Sequence, residues 1–172
     1  MAKKKSAATP ALEVLDERGI SYELRRYEAD AHSAAGFALD SAEHLHVAPD
    51  AVYKTLMVEI DSAGGDQEIV VAVVPATAML SLKAIARAAG GKTAQMLDRA
   101  KAQTVTGYVP GGISPVGQKH PHRVFVDESA IIQDPVFVSA GRRGWSVALA
   151  PDDLIAATGG EYAAIADYRR HR

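Results

Sequence analysis

Residues 52–75 read VYKTLMVEIDSAGGDQEIVVAVVP. Val52, Leu56, Val58 and Ile60 recur with the side-chain period of two that a strand requires. Asp61, Ser62, Gly64, Gly65 and Asp66 then supply turn chemistry, and 68–75 is apolar at nearly every position. Strand, turn and strand predict an antiparallel hairpin. A second strand that is apolar on both faces belongs in a sheet covered from both sides, so helices must layer onto it. The predicted fold class is therefore α/β (α+β), a mixed β-sheet with flanking helices.

Upstream, Thr9 and Pro10 are typed as N-cap and first helical residue, Leu12 and Leu15 share a helix face, and Gly19 ends it. Residues 22–27 alternate as a short strand with Tyr27 on its polar face, and 33–45 reads as a helix that Gly36 weakens. Downstream, Ser81 caps a helix whose Leu82, Ile85, Ala86 and Ala89 share one face, ended by Gly90 and Gly91. A short helix is predicted at 96–103 and strands at 123–127, 136–139 and 145–149. Helical segments close the chain at 152–157 and 161–169.

The 172 residues are 48% apolar and 23% charged, which predicts one compact domain from residue 9 to 172 behind a basic tail, residues 1–8. Nineteen basic against 21 acidic side chains leave a net charge of −2, so polyanion contact has to come from local patches. With no cysteine there is no disulfide, thiolate metal ligand or protein thiol nucleophile. The longest apolar run, 69–75, is far shorter than the ~20 residues of a membrane span, and Lys3, Lys4 and Lys5 lead into no apolar signal core. A soluble, cytoplasmic protein is expected.

Two places carry candidate chemistry. Strand parity sets Lys54 beside Val52, Leu56, Val58 and Ile60, where an ammonium needs an anion or a route to water. Lys54 is either the holder of a phosphate or carboxylate, or a rim residue if the strand starts after it. The second place is TGYVPGGISPVGQK, 106–119, with four glycines and two prolines in the twelve residues 107–118. No regular element tolerates that composition, so it forms a shaped loop. Consecutive free amides at Gly111 and Gly112 would make an anion nest or oxyanion hole; the alternative is a turn chosen for geometry alone.

Familiar motifs fail here. The run 112–119 is G-x-x-x-x-G-Q-K, lacking the Lys and Ser/Thr placement of a phosphate loop, and Ser114 sits in G-x-S-x-x-G rather than a nucleophile elbow. His44 with His46 and His120 with His122 form i, i+2 pairs without a tetrahedral metal set, and read as surface or loop histidines. Basic residues at 119–123, Arg142 with Arg143, and 169–172 matter only if they lie beside the loop. Ser139 opens a glycine-bracketed turn, where it bonds a ligand or its own backbone.

VYKTL (52–56), the 106–119 loop and VSAGRRG (138–144), in that order and spacing, resemble the YbaK/EbsC family of aminoacyl-tRNA deacylases, within the prolyl-tRNA synthetase-associated editing domain superfamily. The resemblance runs from Thr9 to the C-terminal segment. It implies the fold just described and trans-editing hydrolysis of mischarged Cys-tRNA(Pro), with aminoacyl-tRNA (tRNA(Pro)) and prolyl-tRNA synthetase as partners. It also implies that Lys54 contacts the terminal phosphate or ribose, Tyr27 is the pocket aromatic, Gly111 and Gly112 approach the reacting carbonyl, and Thr55, Ile113, Ser114, Ser139 and Gly141 bind substrate. The family mechanism uses the substrate's own thiol, forming a thiolactone, so no protein nucleophile, metal or cofactor is expected. Orientation and oxyanion stabilisation are left to the protein.

One position departs from the pattern. Where YbaK carries an acidic residue after the turn and its hydrophobic neighbour, this chain has Ser146 after Trp145. That puts the contact to the substrate amine in question and opens the possibility of another small amino acid. Two other classes compete: a tRNA- or synthetase-binding module without chemistry, with salt-dependent binding and no turnover, and a phosphate-binding NTPase resting on the near-miss glycine pattern.

Overall fold

The computed structural model describes residues 8–28 and 37–169. The basic tail up to residue 7, the start of the helix expected at 33–45 and the last three residues lie outside them. In chain order the first half comprises α1 (Pro10–Glu17), β1 (Glu23–Arg26), α2 (Phe37–Leu45), β2 (Tyr53–Asp61), β3 (Gln67–Pro75), β4 (Met79–Leu80) and α3 (Leu82–Ala88). The second half comprises β5 (Thr93–Met96), α4 (Arg99–Thr106), β6 (Arg123–Asp127), β7 (Val136–Arg142), β8 (Trp145–Leu149), α5 (Pro151–Thr158), β9 (Glu161–Ala163) and β10 (Ala166–Asp167).

The hairpin expected at 52–75 is the centre of the molecule. β2 and β3 pair antiparallel from Tyr53 opposite Pro75 to Asp61 opposite Gln67. They sit in a five-stranded mixed sheet of order β5-β2-β3-β6-β9, in which β6 runs parallel to β3 and β9 parallel to β6. The apolar run of β3 is buried on both faces, as its composition requires. Val70, Ala72 and Val74 pack with Val58, Ile60, Phe125, Ile165 and Ile85 of α3. Val71 and Val73 face the other way, onto Tyr53, Met57, Val124, Val126 and the apolar faces of α1, β7 and β8. Burying one such valine side chain stabilises the fold by about 1.5–3 kcal/mol.

β1, β8 and β7 form a second, antiparallel sheet, joined to the first by a single bridge between Val52 and Phe137. On its outer side Ala42 and Leu45 of α2 cover Val52, Ala76, Phe137 and Ala148. Tyr27, just past β1, packs into this layer, while Glu23 on the same face stays exposed. The expected caps are present: the Thr9 side chain accepts from the Leu12 amide, and that of Ser81 from the Ala84 amide.

Four expectations are corrected. Residues 161–169 are not helical: Glu161–Ala163 adds to the β6 edge, and Ala166–Asp167 pairs with β4. The Asp127 carboxylate accepts from the Ile165 and Ala166 amides at 3.0 and 2.9 Å, holding that segment extended. The helix placed at 96–103 starts at Arg99, capped by Asp98, because 93–96 is recruited as an edge strand against β2. β7 continues past Ser139 to Arg142 through an irregularity in register. Leu82 is 38% exposed, so α3 buries only Ile85 and Ala86 fully.

Candidate functional site

β5 pairs with β2 only from Val58 to Asp61, and one further bond, Leu97 N–H to the Met57 carbonyl at 3.0 Å, ends the coverage. Beyond it the β2 edge is open, and a cavity of about 430 Å³ lies there. Its walls are β2, the loop at 110–113 and the β7–β8 hairpin. In an antiparallel ladder alternate residues aim their backbone groups the same way, so Thr55 presents its own as Met57 does, toward this opening. The Thr55 hydroxyl is buried in the cavity wall without a hydrogen-bond partner among the described residues.

Lys54 is the second residue of β2 and lines the cavity, so the strand does not start after it. Its ammonium is half-buried, has no carboxylate partner among the described residues, and is held below its ordinary pKa by burial. The other charged lining residues are Arg99 and Arg142. No Asp, Glu or His is among the described residues of the lining, so a chain of net charge −2 carries a locally positive cavity. Among the described residues of that wall no imidazole or carboxylate stands as a base for the lining hydroxyls of Thr55, Ser139 and Ser146.

The glycine loop divides into residues that reach the cavity and residues that shape it. Pro110, Gly111 and Ile113 line it. Gly111 has φ +82°, a conformation that favours glycine, and its N–H has no partner among the described residues. Gly112 does not line the cavity. Its N–H donates to the Val109 carbonyl at 2.9 Å, and a β-carbon there would meet Arg143 N at 3.0 Å. The expected pair of consecutive free amides is therefore a single one, and Gly112 packs loop against hairpin. Ser114, expected to bind substrate, is 0% exposed and its Oγ accepts from the Val116 amide at 3.2 Å. The loop is laced by Tyr108, whose hydroxyl donates to the Val116 carbonyl at 2.7 Å, and Arg143 Nε donates to the Pro110 carbonyl at 2.7 Å.

Ser139 lines the cavity while its Oγ accepts from the Gly141 amide at 3.1 Å, so the turn reading and the wall reading both hold. Ser146 stands directly across from it on β8 and lines the same wall. Gly141 is outside the lining: its φ is +97° and a β-carbon would meet the Tyr108 ring at 2.7 Å, which makes it a packing glycine. Tyr27 lines the cavity; its hydroxyl bonds Ser41 Oγ and its ring stacks on His44 at 5.2 Å. Burial, aided by the Asp40 charge, pushes the Tyr27 phenol above its ordinary pKa. His122 lies behind the loop with Nδ1 2.9 Å from Gln118 Oε1. Arg99, Ser41 and Trp145 are lining residues that sequence reasoning missed. Only Trp145, as the single tryptophan, carried any signal.

A positive, apolar-walled cavity with an uncommitted amide at Gly111 and, among its described residues, no side-chain base defines a receptor for an anionic ligand whose carbonyl can be held and polarised. Comparison with known proteins narrows that class. The aminoacyl-tRNA editing domain matches residues 32–157, well over half of the chain. A candidate Cys-tRNA(Pro)/Cys-tRNA(Cys) deacylase of Enterococcus faecalis, EbsC, is 35% identical over 167 residues, covering 96% of this chain and 98% of that one. The crystal structure of a candidate trans-editing enzyme for prolyl-tRNA synthetase superposes with a TM-score of 0.79 at 20% identity, covering 96% of this chain and 99% of that chain. A hypothetical protein, APE2540, gives 0.76 at 22% identity, covering 92% of this chain and all (100%) of that one. This chain belongs to the aminoacyl-tRNA editing domain family and is an aminoacyl-tRNA deacylase, a hydrolase. The resemblance drawn from VYKTL, the glycine loop and VSAGRRG is borne out, as is the mixed α/β fold. Among the described residues no helix is long and apolar enough to cross a membrane.

Proposed function

We propose that this deacylase clears cysteine from tRNA(Pro) in trans, in the cytoplasm, and is brought to its substrate by prolyl-tRNA synthetase. The carrying observation is the composition of the cavity: half-buried Lys54 and the Gly111 amide line it together, and among the described residues neither has a partner and the wall holds no acid or imidazole. The names of EbsC and of the structural neighbour support the choice of amino acid and of synthetase.

In this reading Lys54 holds the phosphate or ribose of the terminal nucleotide, and the Gly111 N–H receives the carbonyl oxygen as it gains charge. Tyr27, Thr55, Ile113 and Ser139 shape the pocket around the acyl group, while Gly112, Ser114 and Gly141 hold the loop and turn in place. The substrate sulfur attacks its own carbonyl carbon. A C–S bond forms, the C–O bond to the ribose breaks, and the thiol proton passes to the departing ribose oxygen. The products are a thiolactone, which water then opens, and free tRNA. Alanine and proline esters carry no thiol, so selectivity follows from chemistry as well as from fit.

The test is to charge tRNA(Pro) with cysteine, alanine or proline and follow ester loss. Cysteine is expected to be cleared at low enzyme concentration, with alanine and proline esters surviving as in buffer. A cysteine ester that persists as long as in buffer overturns the reading.

A further inference from the structure

The three-stranded sheet carries at its end a row of side chains that the chemistry above does not use. Strand register sets Arg26 of β1 and Arg142 of β7 directly opposite Trp145 of β8, one from each neighbouring strand. Their guanidinium carbons lie 4.3 and 4.9 Å from the indole ring centre, within the ~6 Å reach of a cation–π contact. Both arginines are exposed, and neither has a carboxylate partner among the described residues. Other arginines are neutralised: Arg25 by Glu23 at 2.7 Å, Arg123 by Glu68 at 2.7 Å and Arg169 by Asp167 at 3.1 Å.

The row sits at the rim of the cavity. Arg142 and Trp145 are part of its lining, as is Tyr27, the residue after Arg26, whose N–H donates to the Gly144 carbonyl at 2.8 Å. Arginine ordinarily loses side-chain freedom when it binds an anion. Guanidiniums already laid against an indole have less to lose and keep their planar forks turned to solvent. Paired cations on an aromatic base suit single-stranded nucleic acid, which offers phosphates and base faces together. An ester at the 3′ end of an RNA can enter the cavity only if the nucleotides before it cross the rim.

We propose that Arg26, Trp145 and Arg142 form a dock for the unpaired 3′ nucleotides that precede the aminoacylated one. The arginines take the phosphates, and Trp145 is the positioning residue that holds them. The identity of the RNA rests on the deacylase reading; the row itself rests on register and charge.

Trp145 is the single tryptophan of the 172 residues, so indole emission, excited at wavelengths the six tyrosines do not absorb, reports on the row alone. Uncharged tRNA(Pro) is expected to quench it, and the same tRNA shortened by its three 3′-terminal nucleotides is expected to bind at least tenfold more weakly. The double variant Arg26→Gln, Arg142→Gln should raise Kd about tenfold and lower the slope of log Kd against log salt by roughly 1.4, the share of two single-strand phosphates. Trp145→Leu should weaken binding and Trp145→Phe, which keeps a ring, restore it. Emission unmoved at saturating tRNA, or a double variant with the parent's salt slope, overturns the dock. Should that variant fail to fold, the parent protein's emission and the shortened tRNA decide. If the parent clears Cys-tRNA(Pro) while emission and salt slope stay unmoved, the dock falls and the deacylase reading stands. If emission and slope respond while no ester is cleared, the reverse holds.

Discussion

A β-carbon on Gly112 would stand 3.0 Å from the backbone nitrogen of Arg143, so the glycine loop and the β7–β8 turn touch through the space a side chain would fill. That contact, with the Arg143 bond to Pro110, fixes the Gly111 amide relative to the cavity wall. Neither backbone segment can yield without shifting the loop. Gly112→Ala should cost about 1–3 kcal/mol of stability, as overpacking does, and lower kcat/KM about tenfold by displacing Gly111. Calorimetry and deacylation kinetics check both; an unchanged Tm would show that the two segments do not bear on each other.

Lys54 is held in a half-buried position without a counter-charge among the described residues, the arrangement expected of a residue kept for a ligand at the expense of folding. Lys54→Met keeps the stem and discards the charge. Its Tm should rise by a few degrees, roughly what 1 kcal/mol is worth in a domain of this size, while kcat/KM falls about ten- to a hundredfold. Loss of activity together with loss of stability would instead mark Lys54 as structural.

The same residue sets a pH dependence. Burial holds its pKa below the ordinary 10.5, and a bound phosphate would raise it again by favouring the charged form. The bound state therefore keeps its proton to higher pH than the free state, and affinity falls as pH rises through the free-state value. Folding follows the opposite sign: the penalty of the buried charge is full below that value and is relieved as pH climbs through it toward 10.5. Tyr27 is shifted up by burial and Tyr53 is pushed up to about 12, so neither phenol confuses this range. Titrating uncharged tRNA between pH 7 and 10 should show Kd rising, and Lys54→Arg, which stays charged, should flatten the curve.

How far the chain could be read follows from where its signals are local. The hairpin at 52–75 was legible because its turn residues and two-sided apolar run have one consistent arrangement, and Thr9 and Ser81 announced their helices by cap chemistry. The segment 161–169 was not, because EYAAIADYR carries helix-compatible spacing and is held extended by a distant group, the Asp127 carboxylate. In the site, Lys54, Gly111, Ile113, Tyr27, Thr55 and Ser139 reach the cavity as sequence suggested. Gly112, Ser114 and Gly141 do not. A glycine that admits a ligand and one that admits another backbone look identical in sequence, and only the tertiary contacts to Arg143 and Tyr108 separate them. The Arg26–Trp145–Arg142 row was invisible because its members meet by register across three strands.

A cavity with no side-chain base among its described residues predicts a flat response to loss of its hydroxyls. Ser41→Ala, Thr55→Val, Ser139→Ala and Ser146→Ala should each keep kcat within about tenfold of the parent protein, whereas removing a covalent nucleophile costs several orders of magnitude. The Thr55 hydroxyl, buried without a partner among the described residues, is the one expected to act through KM. A thousandfold fall in kcat for any single hydroxyl would mean that the protein, and not the substrate thiol, attacks the ester.

Ser146 bears on the substrate amine. It is 5% exposed, faces Ser139 across β7 and β8, and occupies a wall whose charged members are all cations. An α-amino group titrates at about 7.7–8.0. Below that range the substrate brings an ammonium into a positive cavity whose described residues offer it uncharged hydroxyl and carbonyl oxygens and no carboxylate. Affinity for aminoacyl-tRNA, compared with the uncharged tRNA, should therefore improve as the amine loses its proton between pH 6.5 and 8.5, a window that lies around that value. Ser146→Asp should reverse the preference by lowering KM about three- to tenfold at the acid end, at a stability cost of about 1–3 kcal/mol for burying a carboxylate. Ser146→Asn supplies the same volume without charge and should leave the pH trend of the parent protein intact. If Asp and Asn variants behave alike at the acid end, the amine does not meet this wall, and the serine in place of a carboxylate has no part in choosing the substrate.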